Sequence, residues 1–152
     1  MKKLSVLGMA SPKAYAENEI RSQGNSIVSH LLYIKFFPDY NDRAHWVKQI
    51  TGFLIEVRKK VPIKKGKRLT ASRVASLLNE TVSNDAELAS HLLGVANHMN
   101  KPVRSLTLTF NSANVREVIK EFAILATSAQ AFDRDDVEKI IGPFVDTIQD
   151  EE

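Results

Sequence analysis

The sequence predicts a mainly α-helical fold: a single compact domain of five to six helices with one short β element. Three observations predict it. From Ser26 onward the apolar residues recur three and four positions apart rather than two. Prolines and helix-capping residues separate these periodic stretches. One segment alone, Val103 to Phe110, alternates with a period of two. At 152 residues, a chain buries about 70% of the surface its unfolded form exposes, enough to hold a core without disulfide or metal. Residues 25–150 are assigned to this domain and residues 1–24 to a flexible N-terminal arm.

The first helix is expected from Ser26 to Phe37, apolar on most faces (Ile27, Val28, Leu31, Leu32, Ile34, Phe36) and stopped by Pro38. Asn41 or Asp42 caps the second, which carries Trp46, Ile50, Phe53, Leu54, Val57 and Val61 on one stripe before Pro62. These side chains are assigned to the core. A short helix follows Thr70, where Leu69 and Val74 have hydrophobic-staple spacing and Val74, Leu77 and Leu78 form the buried side. Asn84 and Glu87 have capping-box spacing at the head of the next, with Leu88, Leu92, Val95 and Met99 on one face.

Lys101-Pro102 ends that helix, and Val103 to Phe110 follows as a strand. It needs a partner for its backbone groups: Lys3 to Leu7, a piece near Val61 to Ile63, or its own copy in a second molecule. Two more helices are predicted, Ser112 to Gln130 and Asp133 toward Gln149. Phe132 and Val137 staple the second of these, and Gly142-Pro143 is expected to kink or break it.

The formal charge of +3 conceals an asymmetry: residues 1–75 hold 15 Lys and Arg against 5 Asp and Glu, residues 76–152 hold 6 against 13. A charge dipole of this kind points to a polyanionic partner near the basic half, or to attraction between the halves within one fold or across a dimer. The absence of cysteine excludes disulfides, thiolate metal sites and thiol catalysis, and fits a reducing cytoplasm. No run approaches the roughly 20 apolar residues of a membrane span. Met1 to Ala16 loosely imitates a signal peptide, but Ser5, Gly8 and Ser11-Pro12 interrupt the apolar part.

The most distinctive segment places Arg58, Lys59, Lys60, Lys64, Lys65, Lys67, Arg68 and Arg73 within sixteen residues. Pro62 and Gly66 hold it out of a helix, so an exposed turn or short hairpin-like connection is expected. Such a cluster neutralises phosphates on nucleic acid and releases counterions, sits against anionic lipid, or meets an acidic surface of a partner protein or of the chain itself; the plain alternative is a solvated basic loop. Immediately after it, Leu69 to Leu78 resembles the first helix of helix-turn-helix units. The resemblance implies that the head of the following helix, with Ser83, Asn84, Asp85 and Glu87, enters a DNA groove. Two carboxylates there oppose phosphate, and an αα-hairpin built for packing explains the same pattern.

Of the four histidines, His91 and His98 share a helix face with Glu87, but seven residues separate the two rings. That is about 10 Å of rise, too far for one metal ion. His30 and His45 are isolated. Asp133, Asp135, Asp136 and Glu138 read as an acidic helix start rather than a calcium loop, lacking its glycine and distal glutamate. With no nucleophile elbow, phosphate loop or metal motif, no catalytic residue, metal or cofactor is assigned. The expectation is a non-enzymatic binding module using residues 58–73, with nucleic acid as partner or, alternatively, an acidic protein surface. A homodimer is expected from the unpaired strand and the wide apolar faces of the first and fifth helices.

Overall fold

The computed structural model describes residues 11–37, 42–100 and 112–150, with side chains described as far as residue 145. Six α-helices and one small hairpin run in the order α1 Pro12–Phe36, α2 Arg43–Lys60, β1 Pro62–Lys64, β2 Lys67–Arg68, α3 Ala71–Leu78, α4 Asp85–Met99, α5 Ser112–Thr127 and α6 Arg134–Asp150. A 3-10 turn, Glu80–Val82, joins α3 to α4. The fold is mainly α, as the periodicity requires.

The largest departure lies at the start. Where a flexible arm was expected as far as residue 24, the chain is helical from Pro12. Ser11 is the N-cap, its hydroxyl accepting from the Ala14 amide at 3.1 Å, and Pro12 occupies the first turn, where it costs no hydrogen bond. Ala16, Ile20, Gly24 and Ile27 then form one buried stripe that runs on into Leu31.

This long helix is central: α1 packs against α2, α3, α4 and α6. Its buried face meets Trp46, Ile50, Leu54 and Val57 of α2, Val74, Leu77 and Leu78 of α3, and Leu88, Leu92 and Val95 of α4 in one core. Val115, Ile119 and Phe122 of α5 and Val137, Ile141 and Phe144 of α6 complete it. Phe53 departs from its expected place. It is half-buried, its ring edge-on to His30 with centroids 5.1 Å apart.

Gly24 marks a close approach of two helices, because a Cβ added there would stand 2.7 Å from the Leu78 carbonyl oxygen and 2.8 Å from its Cα. The side-chain-free position lets the backbones of α1 and α3 touch. Two ion pairs tie α1 to this region: Arg73 of α3 grips Glu17 through two bonds of 2.9 and 3.0 Å, and Arg21 lies 2.9 Å from the carboxylate of Glu80 in the 3-10 turn.

Asp42 stands at the N-cap of α2 without a side-chain cap bond, whereas the expected caps of the later helices form. Thr70 accepts from the Arg73 amide, and Asn84 from that of Glu87. At α6, Asp133 accepts from the amides of Asp135 and Asp136 while Asp136 accepts in return from the Asp133 amide, an acidic capping box. Asn100 closes α4 in the left-handed conformation with φ 59°. Helix α5 stops at Thr127, three residues short of expectation, where the Ser128 hydroxyl accepts from the Gln130 amide and turns the chain. No break occurs at Pro143. Helix α6 continues through it, with Ile141 and Phe144 buried on either side, so burial of the apolar face outweighs the missing hydrogen bond.

The expected strand over 103–110 and its candidate partner over 3–7 lie outside the described residues. The described β element is the hairpin at 62–68, antiparallel, with Lys64 opposite Lys67 and an irregularity between Pro62 and Lys64. Gly66 has φ +78°, the value a type II turn demands of its third residue. The Leu69 amide donates to the Val61 carbonyl at 2.9 Å and closes the base. Most apolar residues of α1 and α5, offered above as ground for a dimer, are covered within the chain, while Ile124 of α5 stays exposed.

Candidate polyanion-binding site

The eight cationic residues between 58 and 73 divide into two groups. The first group is engaged inside the fold. Arg58 donates to the carbonyls of Leu125, Ala126 and Ser128 at 2.7 to 3.1 Å and stacks over Phe132, 4.6 Å from the ring centroid. Arg68 reaches the Thr127 carbonyl at 2.8 Å. Both therefore cap the C-terminus of α5, whose last carbonyls have no helical donor and carry the negative end of the helix dipole.

Arg73 is held by Glu17, which is only 8% exposed. The guanidinium keeps the Glu17 carboxyl below its ordinary pKa of 4.5, against the opposing effect of burial. Lys59 pairs with Glu56 at 2.9 Å.

The second group faces water. Lys64, Lys65 and Lys67 are exposed on the hairpin, and among the described residues none of their side chains makes a hydrogen bond or ion pair. A turn of four residues fixes their separation, so three ammonium groups share one projecting edge. Lys60 stands at the foot of the hairpin, its Nζ 5.2 Å from the centre of the Tyr15 ring. Beside the hairpin lies a groove of about 710 Å³, bounded by Ser11, Pro12 and Lys13 of α1 on one side and by Ile63, Lys64, Lys67 and Arg68 on the other. Leu69, Thr70 and Arg73 close it at the head of α3.

Lys13 and Tyr15 are additions that the sequence reading left in the arm. The signal for them was present: Ser11-Pro12 is a cap followed by a first-turn proline, which starts a helix and carries Lys13 to its head.

The helix-turn-helix resemblance meets a different geometry. Glu87 accepts from the Ser83 amide at 3.0 Å and its hydroxyl at 2.6 Å, and Asp85 accepts from the Ser112 amide and hydroxyl, both at 2.8 Å. Arg116 adds a bond to the Ser83 carbonyl. The side chains that would read bases instead cap α4 and fasten it to α5; these bonds hold both carboxyls below their ordinary pKa values. No family model, curated protein or solved structure matches this chain.

Nor do the histidines form a metal centre: among the described residues no three His, Asp or Glu side chains converge. Glu138, the last of the acidic run, pairs with Arg43. His91 Nε2 lies 2.9 Å from Ser29 Oγ, across the contact between α4 and α1. A serine and histidine at this distance are the beginning of a nucleophilic pair, but the other imidazole nitrogen has no orienting partner among the described residues.

The pair has a consequence for stability instead, because burial pushes the His91 imidazole below its ordinary 6.5. The unfolded chain takes up this proton near 6.5 and the native chain only at lower pH. Stability is thus complete above that value and declines as the pH falls through the interval beneath it. The urea midpoint is expected to drop between about pH 7 and pH 5, and to drop less in His91→Gln. Parallel pH profiles for the two proteins would contradict the assignment.

Proposed function

We propose that this chain is a non-enzymatic nucleic-acid-binding module whose contact surface is the lysine hairpin and the groove beside it. One observation carries the reading: within a single basic run, the arginines are bound to the fold while Lys64, Lys65 and Lys67 are left in solvent together, with Lys13 across the groove. Clustering the three hairpin lysines with no ion pair of their own among the described residues is unfavourable in the free protein. Phosphates relieve that repulsion and release their own counterions on contact. Lysine is suited to this role, because a flexible point charge follows a phosphate backbone without demanding a fixed geometry. In the chain's charge asymmetry, Arg21–Glu80 and Arg43–Glu138 join basic to acidic half. The hairpin lysines make no such pair among the described residues.

The test is a fluorescence-anisotropy titration of mixed-sequence oligonucleotides with the wild-type chain and with the triple variant Lys64→Gln/Lys65→Gln/Lys67→Gln. Wild type is expected to bind with a Kd of about 1 to 100 µM at physiological salt. The triple variant should flatten the slope of log K against log salt by about 2 to 3, one phosphate contact for each lysine removed. Equal slopes would remove the hairpin from the interface. Binding to polyglutamate with none to oligonucleotides would turn the reading toward an acidic protein surface.

A further inference from the structure

We infer that the nucleic acid taken by this site is single-stranded and that Tyr15 is the platform on which one of its bases stacks. The inference rests on the nucleic-acid reading above and adds to it the form of the ligand. Among the described residues most large apolar side chains are buried or partly buried; the exposed ones are Tyr15, Ile55, Leu93 and Ile124, and Tyr15 is the most exposed at 57%. It is also the aromatic one, and it stands beside the basic surface. Its amide donates to the Ser11 carbonyl one turn back, at the wall of the groove, and the Lys60 ammonium is 5.2 Å from its ring centre.

The groove itself has an unexpected chemistry for a phosphate track. Pro12, Ile63 and Leu69 give it apolar walls, while Lys13, Lys64 and Lys67 stand around them. A duplex has no use for such a surface, since its base faces are stacked inside the helix and its phosphates lie on a convex cylinder that lysines alone can follow. An unpaired strand presents both parts at once, phosphates for the lysines and base faces for a ring and an apolar recess. The cation beside Tyr15 strengthens the arrangement, holding the ring in place and neutralising the nearest phosphate. Because every base has a face to stack, the recognition expected is general in sequence.

The experiment compares one labelled oligonucleotide of about 20 nucleotides, single-stranded and annealed to its complement, against wild type, Tyr15→Ala, Tyr15→Phe and the hairpin triple variant, at one salt concentration. The length spans one site of about 4 to 16 nucleotides. Wild type should prefer the single strand. Tyr15→Ala should lose about tenfold on the single strand, the size of one stacked base, and less than twofold on the duplex. Tyr15→Phe keeps the ring and should keep the affinity, and circular dichroism should show all variants folded.

Replacing thymine by 5-iodouracil and irradiating the complex should attach the strand to Tyr15, read by mass spectrometry. Equal binding of both forms with Tyr15→Ala unchanged would overturn the inference and leave the binding function standing. Absence of binding to either form, or a triple variant as tight as wild type, would overturn the function and this inference with it. Sedimentation with phosphatidylserine vesicles that depends on Tyr15, with no effect of Tyr15→Ala on the single strand, would assign the ring to a membrane surface and overturn the stacking role.

Discussion

Replacing Phe122 by alanine is expected to lower the stability by about 3 to 5 kcal/mol. Phe122 has no exposed surface and is the largest of the fully buried side chains. It lies mid-way along α5, which packs against α2, α3 and α6, so no single neighbour can move to fill the space without losing contacts elsewhere. At about 2 to 4 °C for each kcal/mol in a chain of this size, the melting temperature should fall by roughly 6 to 20 °C. Urea titration at constant pH measures the same loss as a shift in midpoint with little change in slope. A shift below about 2 °C would mean that α5 presents another face to the core.

The second expected result is a change of sign between two identical substitutions. Gly24→Ala should destabilise by about 2 kcal/mol, whereas Gly52→Ala should stabilise by about 0.5 to 1. Both glycines are helical, and alanine is the better helix former by up to about 1 kcal/mol. At Gly52 nothing lies within 4 Å of the added Cβ, so that gain stands alone. At Gly24 the added atom meets the backbone of Leu78 at 2.7 and 2.8 Å, and backbone cannot swing aside as a side chain can. The helices must separate, and α3 carries Thr70 and Arg73 at the groove with it. Two midpoints moving in the same direction would refute the close contact between α1 and α3.

Helices α2 to α6 were legible from their apolar period, and α3, α4 and α6 also from a cap at the edge. Thr70, Asn84 and Asp133 each stand where the period begins. The first half of α1 was not legible in that way. Its buried stripe contains Ala16 and Gly24, which add little to an apolar pattern, and Glu17, a buried carboxylate that reads as surface until its partner 56 residues later is known. Glycine also reads as a break, and at position 24 that rule fails because a neighbouring backbone needs the room.

The candidate site was legible as a run of charge and no further. Which of the eight cations remain free depends on partners far along the chain, and for Arg58 and Arg68 those partners are main-chain carbonyls. Every residue has such a carbonyl, so composition carries no trace of which ones lack a donor. The helix that ends at Thr127 supplies them.

The placement of α1 bears on the order in which the molecule can be made. Helix α1 is made before the four helices that pack against it, and its Lys35 donates to the carbonyl of Phe144, 109 residues later. A ribosome adding about 5 to 20 residues per second needs roughly 5 to 20 s to cover that distance. Throughout that interval Ile20, Ile27 and Leu31 lack part of their native cover, and a nascent chain halted before residue 112 holds α1 with neither α5 nor α6 to close the core. The core around α1 therefore closes only after α5 and α6 have emerged, and until then the apolar face of α1 is a surface for whatever shields unfinished chains.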